Sequence, residues 1–192
     1  MNKDKKIAEA AEVPVICIAG THSGCGKTTI SLGLMASLVS RGYNVQPFKV
    51  GPDFIDPGHH YYITGRDSHN LDGWMLPPSE NKVIFSCYAG DADVVVVEGV
   101  MGLFDGFSAT DDAGSTAQIA KLLGLPVILV VDASSMARSV AALVQGYVQF
   151  DSDVQVKGVI LNRVGSERHK KVLIRSLEEI GTTVYGTLPK NN

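Results

Sequence analysis

Ten residues, Gly20 to Thr29 (GTHSGCGKTT), constrain this chain more than any others. An apolar run, 13–19, precedes them and an amphipathic one, 30–40, follows. Strand, glycine-rich turn and helix is the order that a phosphate cradle needs. Gly24 and Gly26 let the backbone curl with its N–H groups inward, and a helix starting near Lys27 aims its positive dipole end at the same point. In that setting Lys27 reaches the β- and γ-phosphates, and the Thr28 hydroxyl holds Mg²⁺. The usual pattern places a glycine five positions before the final one. Thr21 occupies that position here and the glycine stands one earlier, at Gly20, so the loop carries one extra residue.

Apolar and amphipathic runs alternate along the rest of the chain. Strands are expected at 13–19, 44–50, 92–98, 126–131, 156–161 and 182–186. Most are β-branched and nearly continuous in hydrophobicity, as strands buried on both faces are. Helices are expected at 27–41, 78–88, 115–123, 135–149 and 167–180; three of them run into a glycine (Gly42, Gly124, Gly181), which is C-cap chemistry. The pattern implies an α/β fold of the P-loop NTPase type, a mostly parallel sheet with helices on both faces. It reads as a single three-layer domain over 13–192, with 1–12 as a charged tail. The net charge of −3 argues against a sequence-independent grip on nucleic acid. No uncharged apolar run is long enough for a membrane span. Three cysteines suit neither a disulfide framework nor a zinc site, and a reducing, cytoplasmic setting is expected.

Two stretches break the alternation, 51–77 and 99–114. Both are rich in Gly, Asp and aromatic residues, lack a long periodic run, and follow strands. Connections of that length in a compact domain are usually functional, and ligands of open α/β sheets sit beyond the C-terminal strand ends. Glu98 closes an apolar strand, the position from which an acid reaches Mg²⁺ directly or through water; Asp53 is the further metal contact expected. Asp56 either orients substrate or caps the following turn. Lys49 either neutralises a transferring phosphoryl group or a bound carboxylate, or snorkels to solvent. His59 and His60 with Tyr61 and Tyr62 read as a pocket wall, and Trp74 as a packing anchor. Asp105 either contacts substrate or holds its own loop. Asn162 and Arg163, closing the fifth expected strand, either read and stack on a purine or form a turn. Cys25 is either an acidified, oxidisable thiol or a tolerated small side chain.

Five stretches, AGTHSGCGKTT, FKVGPDFIDPGHH, NLDGWML, VVVVEGVMGLFDG and VILNRVGSERH, come in order between Ala19 and His169. Together they make the chain resemble the N-terminal synthetase domain of the cobyrinic acid a,c-diamide synthases. The lengthened phosphate loop is also similar to that of dethiobiotin synthetase, which activates carboxylates by the same chemistry. The resemblance implies ATP-dependent amidation of the a- and c-acetates of a corrinoid through acyl phosphates, with ATP and Mg²⁺ as cofactors. It implies that Thr21, Ser23, Gly24, Cys25, Gly26, Lys27, Thr28, Thr29, Asn162 and Arg163 contact the nucleotide. Thr28, Asp53 and Glu98 would surround the metal, and Lys27, Lys49, Asp56 and Asp105 would carry the transfer. A sirohydrochlorin-type tetrapyrrole is the alternative acceptor. A regulatory ATPase switch is remote, because Thr21, His22 and Ser23 leave no second lysine early in the loop. The family pairs this domain with a glutaminase that uses a Cys nucleophile and a His base. Cys17, Cys25 and Cys87 do not supply that nucleophile, so the ammonia source is expected in a separate domain or subunit, and a homodimer is compatible with the pattern.

Overall fold

The computed structural model describes residues 13–190; the expected tail at 1–12 lies outside the described residues. Seven strands form one sheet: β1 (Val15–Gly20), β2 (Val45–Val50), β3 (His69–Leu71), β4 (Val94–Glu98), β5 (Val127–Asp132), β6 (Val156–Val164) and β7 (Val184–Pro189). Their order is β3-β2-β4-β1-β5-β6-β7, and every pairing is parallel. Six helices connect them: α1 (Lys27–Ser40), α2 (Asp56–Thr64), α3 (Pro78–Ala89), α4 (Thr116–Leu123), α5 (Ser139–Phe150) and α6 (Glu167–Glu178).

The apolar runs of the sequence become strands because the sheet is covered twice. Val95 and Val97 pack with Phe85, Ala117, Val140 and Leu173 from α3, α4, α5 and α6 on one face. Val94 and Val96 pack with Ile30 and Met35 of α1 on the other, where α2 adds Ile63. Every residue of β4 and β2 is buried. Chain direction across the sheet reverses at β1, which lies between β4 and β5, so the loop after β1 opens where ligands of such folds bind.

Two elements depart from the expectation, and both lie in the stretch 51–77. Helix α2 shows no apolar period because its only fully buried side chain is a histidine, His60. Its start is set by Asp53, whose Oδ1 accepts from the backbone N–H of Ile55 (2.8 Å) and Asp56 (3.1 Å); Gly65 in a left-handed conformation closes it. Strand β3 is three residues long and pairs only with β2 at the sheet edge, too short for a periodic signal. A third departure is at the other end. Strand β6 runs past Leu161 to Val164, so Asn162 and Arg163 sit in an irregular part of the strand, with Arg163 at φ 58°.

After β3 the chain is held by Asn81 of α3, which is fully buried. Its Oδ1 accepts from Asp72 N at 2.8 Å and its Nδ2 donates to Asp72 O at 2.9 Å. This pair substitutes for a longer strand, fixing the turn that a three-residue ladder cannot. Asn81→Ala leaves the buried Asp72 N–H unpaired and Asp72 O with Leu76 N as its remaining donor (3.2 Å); a loss of about 2 kcal/mol is expected. Thermal denaturation should show a midpoint lowered by roughly 4–8 °C.

Candidate active site

The loop from Thr21 to Gly26 is fastened by its neighbours rather than by itself. Leu103 N donates to Gly20 O (2.8 Å), and Thr21 N to Val130 O (3.1 Å). Gly24 and Gly26 both have positive φ, 81° and 105°, which a side chain resists. A Cβ at Gly26 would also fall 2.2 Å from Asn162 Nδ2. Gly20 is required by a different contact: a Cβ there would lie 2.5 Å from Cys25 Sγ and 3.0 Å from Lys27 Cδ. The displaced glycine and the extra residue therefore belong together. The extra residue sends Cys25 into the core beside Ile18 and Ile30, and Gly20 makes room for it. Cys25 is wholly buried, which removes the oxidisable, exposed thiol from consideration.

A cavity of about 410 Å³ opens over this loop, walled by Ser23, Gly24, Gly26, Lys27, Thr28, Thr29, Lys49, Asp53, Asp56, Gly99, Val100, Met101 and Arg163. Ten of the residues singled out from sequence thus meet at one place. Glu98 lies beneath them, wholly buried, with both oxygens engaged. Oε1 accepts from Thr28 Oγ1 (2.6 Å) and Lys49 Nζ (3.0 Å); Oε2 accepts from His60 Nε2 (2.9 Å). An ionised carboxylate only accepts, so His60 Nε2 carries a proton, and its Nδ1 faces Ser68 Oγ at 2.9 Å. Burial alone would raise the Glu98 carboxyl, but the His60 hydrogen bond, the Lys49 charge and the Thr28 hydroxyl outweigh it and hold it at about 2.

Lys49 does not snorkel; it is 3 % exposed. Its three N–H groups go to Asp56 Oδ2 (2.6 Å), Glu98 Oε1 (3.0 Å) and Gly99 O (3.1 Å), and Asp53 Oδ2 is 3.8 Å away. Burial pulls its ammonium down, yet the Glu98 and Asp56 carboxylates carry it above the ordinary lysine value. What Lys49 offers the cavity is a fixed positive charge. Lys27 is parked, its Nζ donating to His22 O (3.3 Å) and to Met101 O. Burial lowers its ammonium from the ordinary value.

Both aspartates line the cavity, and they make different contacts. Asp53 caps α2, while Asp56 is the carboxylate that approaches Thr28 Oγ1, at 3.5 Å. Among the described residues no cluster of three His, Cys, Asp or Glu side chains can hold a cation unaided. The donor set does suit Mg²⁺ that arrives with phosphate oxygens and water, one hydroxyl and nearby carboxylates being all that such a cation takes from protein.

Besides Glu98, four predicted residues stand outside the cavity wall. Asp105 is exposed and spends Oδ2 on Gly102 N (2.9 Å), holding its own loop. Thr21 gives its carbonyl to the Tyr147 hydroxyl. Cys25 is in the core. Asn162 donates Nδ2 to Cys25 O (2.9 Å) and accepts from Arg163 N (2.9 Å), so its amide braces the phosphate loop. Arg163 pairs with Asp132 and donates to Gly24 O (3.1 Å). A second cavity, lined by Asn162, Arg163, Leu188, Pro189 and Lys190, shares Gly26, Thr29 and Arg163 with the first. His60 is no pocket wall; it is the buried partner of Glu98, while His59 is exposed. Neither His60 nor Tyr147 carried a local signal for its role, since each acts on a residue far away in sequence.

The chain matches the CobQ/CobB/MinD/ParA nucleotide binding domain over residues 16–192, nearly its whole length. It belongs to that family. It is 56 % identical over 178 residues to a cobyrinate a,c-diamide synthase of Caldanaerobacter subterraneus subsp. tengcongensis, covering 92 % of this chain and 39 % of the relative. It is 52 % identical over 176 residues to a hydrogenobyrinate a,c-diamide synthase of Streptomyces coelicolor, covering 92 % of this chain and 36 % of the relative. The chain thus spans about two fifths of the length of these curated relatives. Among solved structures, the hydrogenase maturation factor HypB from Archaeoglobus fulgidus superposes with a TM-score of 0.57 at 12 % identity, over 97 % of this chain and 87 % of that one. The signal recognition particle receptor FtsY of Elizabethkingia anophelis gives 0.61 at 17 % identity, over 99 % and 65 %. At those identities the likeness is one of fold, and it agrees with the P-loop type read from the sequence. No helix among the described residues is long and apolar enough to cross a membrane.

Two outcomes are expected from the Glu98 network. His60→Ala leaves Glu98 Oε2 buried without a donor and should destabilise the protein by about 3 kcal/mol in denaturant titration. The Glu98 pKa is lower folded than its ordinary 4.5, so its contribution is full above that value and lost as pH falls toward 2. In metal-free protein, stability against pH should fall less steeply over that window in Glu98→Gln than in the unaltered chain.

Proposed function

We propose that this domain activates carboxylates of a corrinoid with ATP, forming the acyl phosphates from which the a- and c-amides are made. The observation that carries the reading is that Lys27 and Lys49, two buried lysines, line one cavity together with Thr28 and the N-terminus of α1. A phosphate cradle needs the first lysine; the second puts positive charge where an anionic acceptor must approach a polyanionic donor. The 56 % identity to a cobyrinate a,c-diamide synthase supports the acceptor class.

The residues act by position and charge. The loop N–H groups and Lys27 hold the β- and γ-phosphates, Lys27 leaving the His22 and Met101 carbonyls to do so. A carboxylate oxygen of the acceptor attacks the γ-phosphorus, the bond to the bridging oxygen breaks, and ADP leaves. Lys49 lowers the repulsion between the two anions. Ammonia then attacks the acyl carbon and phosphate departs. Mg²⁺, held by Thr28 with the Asp56 and Glu98 carboxylates nearby, supplies charge neutralisation on the phosphates. Asp53, whose Oδ1 serves the helix start, lines the same cavity. The adjoining cavity at Asn162, Leu188 and Lys190 suits the base of the nucleotide. The loops 51–77 and 99–114 limit water at an acyl phosphate that hydrolysis would destroy. Ammonia comes from a glutaminase domain or subunit in a cytoplasmic setting.

The reading is tested by incubating the chain with ATP, Mg²⁺, cobyrinic acid and ammonium chloride. ADP release that depends on the corrinoid, with hydroxyl-to-amino exchange seen by mass spectrometry, is expected. Lys27→Ala should lose at least a hundredfold in rate, and glutamine should not replace ammonium for this chain alone. Corrinoid-independent ADP release with no amide would sink the proposal.

A further inference from the structure

The strongest unassigned feature is a pair of stacked rings that solvent can reach. Trp74, in the connection after β3, and Phe107, in the connection after β4, have centroids 3.8 Å apart and planes inclined by 22°. Trp74 is 56 % exposed and Phe107 70 %. A stack that only packed loops together would bury its rings; this one leaves outer faces and edges open.

The pair is also held still. Asp72 Oδ1 accepts from Trp74 N (2.8 Å) and Met75 N (2.9 Å), and the buried Asn81 fixes Asp72. Asp72 Oδ2 is buried with no partner among the described residues. A carboxylate kept at that cost is explained by what its other oxygen holds. On the facing loop, Gln118 Oε1 accepts from Gly114 N (2.8 Å). Gly114 has φ +78°, and a Cβ there would sit 3.6 Å from Trp74 Cβ. An exposed aromatic surface with its backbone pinned on both sides is built to receive something, since no ordering cost remains when the ligand arrives.

The surroundings identify the ligand class. Among the described residues, eight of the fourteen large exposed hydrophobic side chains fall within 51–77 and 99–114, the two connections that also wall the phosphate cavity. Phe54 and Ile55 stand beside Asp53 and Asp56, and Met101 belongs to the loop that carries Phe107. A small polar acid would not need this surface. A macrocycle with an apolar face and a rim of carboxylates would, laying the face on the rings and sending one carboxylate toward Lys27 and Lys49.

We propose that Trp74 and Phe107 form a recognition platform for the macrocycle of the tetrapyrrole substrate. This rests on the corrinoid reading above. Trp74 is the only tryptophan of the chain, so its fluorescence reports on the platform alone. Cobyrinic acid is titrated into the protein loaded with Mg²⁺ and a non-hydrolysable ATP analogue, and binding is measured in parallel by equilibrium dialysis of the coloured corrinoid. Saturable quenching is expected with the midpoint found by dialysis. Trp74→Ala and Phe107→Ala should weaken corrinoid binding by about tenfold each, Trp74→Phe by less, with nucleotide affinity unchanged as the check on folding. If Trp74→Ala and Phe107→Ala bind the corrinoid as tightly as the unaltered chain, the platform is wrong and the corrinoid reading survives. If dialysis detects no binding to the unaltered chain, the corrinoid reading falls and takes the platform with it.

Discussion

One buried carboxylate sets the terms for the site. Glu98 has no solvent to share its charge, so the protein must bring partners to it, and they come from three directions. Thr28 comes from the first turn of α1, Lys49 from the end of β2, His60 from the middle of α2, and β4 carries the acid itself. Satisfying that one group fixes the register of the phosphate helix against the sheet. It also decides where the chain after β2 must fold back.

The same demand explains how the cavity is held together. Lys49 has no free donor, and its position is determined by two carboxylates and a carbonyl. Lys27 is held by two carbonyls, one of them from Met101, whose φ of 45° is uncommon for a non-glycine residue. The phosphate lysine thus tethers the loop after β4. Charge that a nucleotide and an acceptor would meet is in place beforehand, which is the condition for electrostatic help without reorganisation.

How much of this was readable from the residues follows a simple division. The phosphate loop, the six strands other than β3 and the three glycine-ended helices are local patterns, and they appear where the sequence puts them to within a few residues. The sheet-end acid Glu98 was readable because an apolar strand ending in a carboxylate is also local. Helix α2 was not, because its buried face is a histidine and its cap is a side chain three residues upstream. The separate duties of Asp53 and Asp56 depend on which one faces Thr28, and that depends on α2 existing. Asn162 looked like a free amide; its use appears only when β6 lies beside the phosphate loop, 137 residues away in sequence. Trp74 looked like an ordinary anchor because the partner that exposes its role, Phe107, sits in a different connection.

The fit between Gly20 and Cys25 has a bearing on how such a chain can drift. The two positions occupy one volume, so their alphabets are not independent. A larger residue at 20 is tolerable only if the side chain at 25 shrinks or leaves the core. Intermediate sequences, with a side chain at both places, strain the cradle itself. Enlargement at 20 must therefore follow a reduction at 25, and the order of the two changes is fixed by the space they share.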